Sequence, residues 1–254
     1  MQNRSNTPPR DQLVMGVRAI QELLEHAPER IIRIYTVRAS VEKKSDLAAA
    51  CLTHKIPMIF CSSTELTHMV GSDSHQSIVA HIRGRKFWEV RDFLASIQEK
   101  ERSFVLMVDQ IFDPQNFGAL IRAAECLGAD GIIWSKNRGS DLTATAAKAS
   151  SGASELLPLL RVSNLAETVE LFKKEGFEIV SSLLDPQAKS VTEFSFPSRS
   201  LIIVGSEGEG IQPLLRKKSD HFVYIPMEGR IESLNVSQAA SILLYCAQAS
   251  QKHH

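Results

Sequence analysis

No apolar stretch of the 254-residue chain is long enough to cross a bilayer. The ten opening residues are polar, carry Pro8 and Pro9, and lack the apolar core of a secretion signal. Both gaps make a cytoplasmic protein with no membrane partner the expectation. Cysteine is sparse: Cys51, Cys61, Cys126 and Cys246 stand apart, with no C-x-x-C and no paired histidines at ligand spacing. That pattern argues against a zinc site and against a disulfide scaffold, so no metal is expected and the four thiols read as small buried hydrophobes. His253 and His254 read as a tail. Charge bias is missing as well, with 29 basic side chains against 29 acidic ones. A nucleic-acid binder often carries a basic excess. Any affinity for RNA must therefore rest on local patches and motifs.

What is present is an ordinary soluble composition, long enough for one large domain or two modest ones. After an arm at residues 1–10, expected to be disordered, an apolar rhythm at helical spacing (Val14, Val17, Ile20, Leu23, Leu24) predicts a helix from Asp11 to about Ala27. Ile31 to Val37 reads as a strand, Val41 to His54 as a helix and Pro57 to Cys61 as a short strand. Ser63 to Val70 reads as a capped helix and Ser77 to Ile82 as a closing strand. Residues 11–83 thus form a small α/β unit. Residues 84–100 follow as a basic linker, opened by Arg83-Gly84-Arg85-Lys86, and an amphipathic helix from Phe87 to Glu99. The basic cluster is either a solvated connection or a phosphate contact.

Over residues 101–254 apolar strands alternate with helices. Strands are expected at Phe104–Val108, Gly131–Trp134, Leu156–Arg161, Phe177–Ser182, Leu201–Val204 and Phe222–Ile225, and helices at Asn116–Leu127, Leu142–Ala149, Asn164–Lys174 and Asn235–Ala249. Near-continuous apolar strands separated by helices predict a mostly parallel sheet covered on both faces. In such sheets ligands bind at the loops after the carboxyl ends of strands.

Three of those loops have unusual content. The first is Asp113-Pro114-Gln115-Asn116-Phe117-Gly118, leading into a helix with Arg122 and Glu125. Asn116 reads either as a helix cap or as a site residue. Arg122 sits in a helix otherwise made of Ala, Leu and Ile. A buried guanidinium there needs a partner, and Glu125 is close enough to share its face. Beside an asparagine, a fixed guanidinium can orient a hydroxyl and stabilise the oxyanion that forms as its proton leaves. The second loop is Gly205-Ser206-Glu207-Gly208-Glu209-Gly210. Its glycines let backbone approach a ligand closely. It is not a G-x-G-x-x-G early in a βαβ unit, and no G-K-[ST] follows, which disfavours a nicotinamide dehydrogenase or a phosphate-cradling loop. Its acids would repel a pyrophosphate and accept a sulfonium. The third is Ile225-Pro226-Met227-Glu228-Gly229, followed by Ser233-Leu234-Asn235-Val236-Ser237 and a helix with small residues at Ala239, Ala240 and Ser241. That helix is either core or an interface.

Taken in order, N-F-G with its downstream arginine, then G-S-E-G-E-G, then I-P-M and S-L-N-V-S, the three loops resemble the motifs of the SPOUT superfamily, in its SpoU branch of RNA 2′-O-ribose methyltransferases. The stretches Lys136-Asn137-Arg138, Leu142-Thr143-Ala144-Thr145, Lys148-Ala149-Ser150-Ser151-Gly152-Ala153 and Leu160-Arg161-Val162-Ser163-Asn164-Leu165 are similar to that branch too. They are nearest to its members that methylate a guanosine ribose in 23S ribosomal RNA. The N-terminal unit, from Gly16-Val17-Arg18-Ala19-Ile20 to His75-Gln76-Ser77, resembles the family's L30e-like substrate-binding domain. It departs at Ser77, where glycine is usual, and at Arg18, where His or Asn is common.

The resemblance implies an α/β fold: a SPOUT domain with a deep trefoil knot around its sheet, preceded by the L30e-like domain. It implies S-adenosylmethionine as methyl donor, held by Gly205, Ser206, Glu207, Gly208, Ile225, Met227 and Leu234. Catalysis is assigned to Arg122, Asn116, Glu207, Ser233 and Asn235, with no metal. An arginine keeps its proton to about pH 12 and above, so orienting the ribose hydroxyl suits Arg122 better than abstracting its proton. A homodimer pairing through the first-motif helix and the final helix is implied as well. Two other readings stand beside this one: the same chemistry on transfer RNA, and a non-catalytic RNA-binding ribosome-assembly protein on the same fold. Arg83, Arg85, Lys86, Lys136, Arg138 and Lys148 are the candidate phosphate contacts.

Overall fold

A computed structural model describes residues 11–41, 45–84, 87–206, 208–230 and 233–252. The expected arm at 1–10, Arg85, Lys86, Glu207, His253 and His254 lie outside the described residues. The chain separates into two compact units, dividing between Lys86 and Phe87.

The first unit runs β1 (Gln12–Met15), α1 (Val17–His26), a 3-10 turn at Pro28–Arg30, β2 (Ile31–Thr36), α2 (Arg38–Val41), α3 (Ser45–Thr53), β3 (Met58–Phe60), α4 (Ser63–Val70) and β4 (Ile78–Ile82). Its sheet has the order β1-β4-β2-β3, antiparallel except for the β2–β3 pair. One expectation is corrected here. Val14 belongs to a strand, because Gly16 (φ 100°) breaks the rhythm and Met15 already pairs with Val79. The four-residue strand runs into the helix with no polar punctuation, so its apolar residues read as one helix. Of the helix expected at 41–54, Val41 ends α2 and Ser45–Thr53 form α3, while residues 42–44 lie outside the described residues.

The departure at Ser77 has a backbone reason. Gln76 (φ 55°) and Ser77 (φ 59°) are both left-handed, the region where a side chain is disfavoured and glycine is not. Neighbours hold them there. Thr36 Oγ1 donates to the Ser77 carbonyl (2.9 Å), Ser77 N–H donates to His75 Nδ1 (3.0 Å), and Gln76 Oε1 accepts from Val17 N–H (2.9 Å). The last bond satisfies a free amide at the start of α1.

The second unit runs α5 (Val90–Ser96), β5 (Ser103–Val108), α6 (Pro114–Cys126), β6 (Gly131–Ser135), α7 (Ala144–Ala149), α8 (Ala153–Leu156), β7 (Leu159–Val162), α9 (Leu165–Lys174), β8 (Glu178–Ser182), β9 (Lys189–Ser190), β10 (Arg199–Val204), α10 (Pro213–Lys218), β11 (His221–Tyr224) and α11 (Val236–Lys252). The sheet order is β7-β6-β5-β10-β8-β11-β9, and every pairing among these strands is parallel. β9 and α10 escaped the sequence reading because each is too short to show a period. Leu156, expected in a strand, instead ends the one-turn helix α8.

Alternation along buried strands explains the two covered faces. Phe104, Leu106 and Val108 point into one core with α6 and α11, while Val105 and Met107 point into the other with α5 and α9. The same split separates Ile202 and Val204 from Leu201 and Ile203. α6 is held on its other side by α7, against Gly118. A Cβ there would stand 2.5 Å from the Ala149 Cβ and closer still to the Ala146 carbonyl oxygen. Gly118→Ala is therefore expected to destabilise the protein by about 1–3 kcal/mol through overpacking against backbone. A denaturant midpoint equal to that of the unaltered protein would contradict this close approach.

Candidate active site at the carboxyl edge

A parallel sheet sends every strand's carboxyl end to one edge, so the loops after β5, β6, β7, β8, β10 and β11 all open on the same side. All three loops singled out in the sequence lie there.

The first loop is fixed by its helix cap. Asp113, not Asn116, caps α6, accepting from the backbone N–H groups of Gln115 (3.0 Å) and Asn116 (3.3 Å), with Pro114 at the first helical position. The Asn116 side chain is thereby released from capping. It accepts instead from Asn235 Nδ2, 3.0 Å away and 119 residues further on. Asn235 is oriented in turn by Ser237, whose backbone N–H (3.0 Å) and Oγ (2.6 Å) both donate to Asn235 Oδ1. With its oxygen so engaged, the Asn235 amide nitrogen can only face Asn116, and Asn116 keeps its own NH2 for another acceptor.

The second loop turns back on itself. Gly210 N–H donates to the Ser206 carbonyl (3.0 Å), Glu209 N–H to Ser206 Oγ (3.3 Å), and Ser206 and Gly210 form an isolated antiparallel bridge. Gly205 is needed because the returning chain passes against it. A Cβ there would lie 2.6 Å from Ile211 N and nearer still to the Gly210 carbonyl. The close approach expected of this glycine is thus made by the protein's own backbone. Gly208 is different, being exposed with nothing within 4 Å of an added Cβ.

The third loop completes the arrangement. Ile225 leaves β11 half-buried against the main core, followed by Met227, 37% exposed. Ten residues after Ile225, Asn235 is bonded to Asn116 beside the end of β5. In the sheet, β10 and β8 stand between β5 and β11. The chain from Ile225 to Asn235 therefore starts and ends on opposite sides of the Gly205 loop, and Leu234 lies half-buried next to Asn235. Ser233 is exposed, and Glu207 lies outside the described residues.

Arg122 is where the sequence reading needs correction. It is exposed rather than buried among apolar residues, and no ion pair joins it to Glu125 among the described residues. Its Nη1 donates to Ser151 Oγ (3.3 Å), on the turn between α7 and α8. It stands six residues after Asn116, roughly 9 Å along the helix axis. No hydrogen bond among the described residues joins it to Gly205 or Leu234. Asn116 and Asn235 are thus brought together directly, and Arg122 stands on the same helix facing the α7–α8 turn. The thiols need a smaller correction. Cys51 is buried, which pushes its thiol pKa up to about 11, but Cys61 and Cys246 are half-buried and Cys126 is exposed. Among the described residues no cluster of His, Cys, Asp or Glu could hold a metal.

Two residues escaped notice. Asp109, fully buried just past β5, accepts from Gln212 N–H (2.9 Å) and Gln212 Nε2 (2.6 Å), while Gln212 Oε1 accepts from Arg138 Nη1 (2.6 Å). This relay ties together the chain that follows β5, β6 and β10. The signal was available, since an aspartate directly follows the wholly apolar strand Phe104–Val108. Arg138, a candidate phosphate contact, is thus partly engaged within the protein.

An adenosine-bearing sulfonium fits what is present. Ile225 and Leu234 offer half-exposed apolar surface, and the described part of the turned-back loop and of the stretch after β11 carries the carboxylates Glu209 and Glu228 against one cation, Arg230. Such a set favours a cationic ligand over a polyphosphate.

Residues 103–245 match the SpoU rRNA Methylase family, and residues 13–88 match the RNA 2′-O ribose methyltransferase substrate binding family. The chain belongs to the SpoU rRNA methylase family. Among SpoU relatives, the 23S rRNA (guanosine-2′-O-)-methyltransferase RlmB of Acinetobacter baylyi is 32% identical over 91% of this chain and 94% of its own. RlmB of Escherichia coli K12 is 32% identical over 92% and 96%. The crystal structure of the SpoU methyltransferase AviRb from Streptomyces viridochromogenes in complex with AdoMet is similar at a TM-score of 0.79 and 25% identity, covering 96% of this chain and 92% of that one. The Aquifex aeolicus TrmH/SpoU tRNA modifying enzyme shares the fold over 65% of this chain, with a TM-score of 0.54 and 24% identity.

The two glycines of the turned-back loop separate local architecture from open space. Gly205→Ala is expected to cost about 1–3 kcal/mol, and Gly208→Ala less than about 0.5 kcal/mol. Equal melting temperatures for the two variants would show that the loop does not pack as described.

Proposed function

We infer that this chain transfers a methyl group from S-adenosylmethionine to a ribose 2′-hydroxyl, on a guanosine of 23S ribosomal RNA. The observation that carries the reading is the Asn235–Asn116 hydrogen bond, which draws the third loop across the Gly205 loop to the start of α6 in a chain of the SpoU family. The relatives named for 23S rRNA cover both units of this chain, and the N-terminal unit matches a substrate-binding family. These support ribosomal over transfer RNA, and an RNA substrate makes the cytoplasm the compartment of action.

S-adenosylmethionine, when bound, supplies an electrophilic methyl group. The residues proposed to hold it are Gly205, Ser206, Glu207, Gly208, Ile225, Met227 and Leu234, within the knotted backbone that the family resemblance implies. Asn116 uses the NH2 left free by its bond to Asn235 to donate to a ribose oxygen, and Ser233 and Glu207 line the same region. Arg122 orients the 2′-hydroxyl and stabilises the negative charge that builds on its oxygen. The proton leaves to solvent, which reaches this exposed edge.

Arg122→Ala is expected to lower the turnover more than about 100-fold, with folding intact and S-adenosylmethionine affinity within about twofold. The assay is transfer of labelled methyl groups to RNA from cells lacking this protein, followed by mapping of the modified ribose. Methylation confined to transfer RNA would move the reading to that substrate. Binding of S-adenosylmethionine without transfer to any RNA would favour a non-catalytic role.

The exposure of Arg122 supports a two-chain site. α6 and α11 lie side by side, and the outward side of α11 includes Tyr245, 61% exposed. We propose that these helices pair with those of a second copy, which brings a second chain beside Arg122 and leaves the ribose side open to solvent. The mass in solution is expected to be that of two chains, and a monomer with full activity would refute the pairing.

A further inference from the structure

The turn that meets Arg122 carries a conformational cost that a glycine in the same place would not. Ser151 is left-handed (φ 52°), a region in which a residue other than glycine is strained by roughly 1–2 kcal/mol. Glycine, at the very next position, would relieve that strain if placed at 151. The surroundings hold the turn in place regardless. Ser150 is fully buried, and its Oγ donates to the Ala147 carbonyl (2.7 Å) and accepts from Ser154 N–H (3.4 Å). Ser151 N–H donates to the Lys148 carbonyl (3.1 Å). Gly118 lets α7 approach α6 so closely that an added Cβ would stand 3.0 Å from Ser150 N. Gly118 and Arg122 are one helical turn apart on one face of α6, so the same close approach delivers the Ser151 hydroxyl to the guanidinium, at 3.3 Å from Nη1.

We propose that Ser151 is a positioning residue for Arg122, its hydroxyl oxygen fixing the direction in which the guanidinium presents its remaining N–H donors to the ribose. An exposed arginine otherwise samples many rotamers, and each is lost when it binds. A hydroxyl bonded to one terminal nitrogen restricts the planar fork and leaves the other donors aimed. The strained backbone at 151 is the cost of placing an oxygen, rather than a glycine hydrogen, at that point. This rests on Arg122 acting on the ribose.

Two variants separate position from packing. Ser151→Gly removes both hydroxyl and strain, while Ser151→Ala removes the hydroxyl and keeps the strain. Both are expected to lower kcat by about five- to tenfold, as loss of one hydrogen bond would, with KM for RNA and S-adenosylmethionine affinity little changed. Their stabilities should diverge, the melting temperature of Ser151→Gly being no lower than that of the unaltered protein and that of Ser151→Ala lying below Ser151→Gly. In both, side-chain NMR of Arg122 should show a more mobile guanidinium. On an Arg122→Ala background neither change should lower the residual rate further. Unaltered kcat in Ser151→Gly, while Arg122→Ala is inactive, would overturn the positioning role and leave the site reading standing. Losses of kcat that follow melting temperature across the two variants would also overturn it, by making Ser151 structural. Normal turnover in Arg122→Ala would instead remove the site reading, and this role with it.

Discussion

The arrangement depends on one hydrogen bond between two amides far apart in sequence. Asn235 and Asn116 can meet only because Asp113 has already taken the capping task of α6 and Ser237 has taken the oxygen of Asn235. Each neighbour removes one alternative, until a single donor faces a single acceptor. The consequence is topological. A chain that leaves the end of β11 must return to the end of β5, and β10 with its glycine-bounded loop lies between. The backbone at this edge brings the third loop to the first, and the side chains hold it there. The buried relay through Asp109, Gln212 and Arg138 supports the same edge from the strands beneath.

Much of this was legible in the sequence. Strands buried on both faces announce themselves as apolar runs, and β5, β6, β8 and β10 were each recognisable within about two residues. Asn164, read as the start of a helix, accepts from Ala166 and Glu167 N–H as a cap should. The failures share a cause. β1, β9 and α10 are four, two and six residues long, too short for a period to emerge above composition. Leu156 was read into a strand because the apolar pair Leu156-Leu157 ahead of Pro158 fits a helix end and a strand start equally well.

The errors at the site are of another kind. Cap and site residue compete for the same chemistry, so an Asp-Pro-x-Asn segment does not say which of Asp113 and Asn116 caps the helix. Arg122 was judged by its neighbours in sequence, which are apolar, whereas exposure is decided by which face of α6 the chain leaves uncovered. Gly205 was read as letting backbone approach a ligand closely, and on its Cβ side the backbone that approaches is that of Gly210. Close approach is visible in a glycine; its object is not. Ser151 stood in a stretch similar to the SpoU branch, but its backbone left no signal, since positive φ at a serine follows from the tertiary contacts that force it.

These corrections point one way. α6 is wedged between α7, where Gly118 admits a backbone carbonyl, and α11, whose amino end carries the Asn235 bond. Its two buried stripes set the direction of everything else on it, so Asn116 and Arg122 emerge where packing leaves room. A residue placed this way is held to within the tolerance of the core, because rotating α6 would drive Gly118 out of contact with α7 and break the amide pair at once. The exposed guanidinium is a part of this helix that core packing does not fix. Ser151 Oγ is the contact that meets it, set on a turn that is itself anchored by the buried hydroxyl of Ser150. Order thus passes from the sheet to α6 by packing, and from the α7–α8 turn to the Arg122 guanidinium by a single hydroxyl.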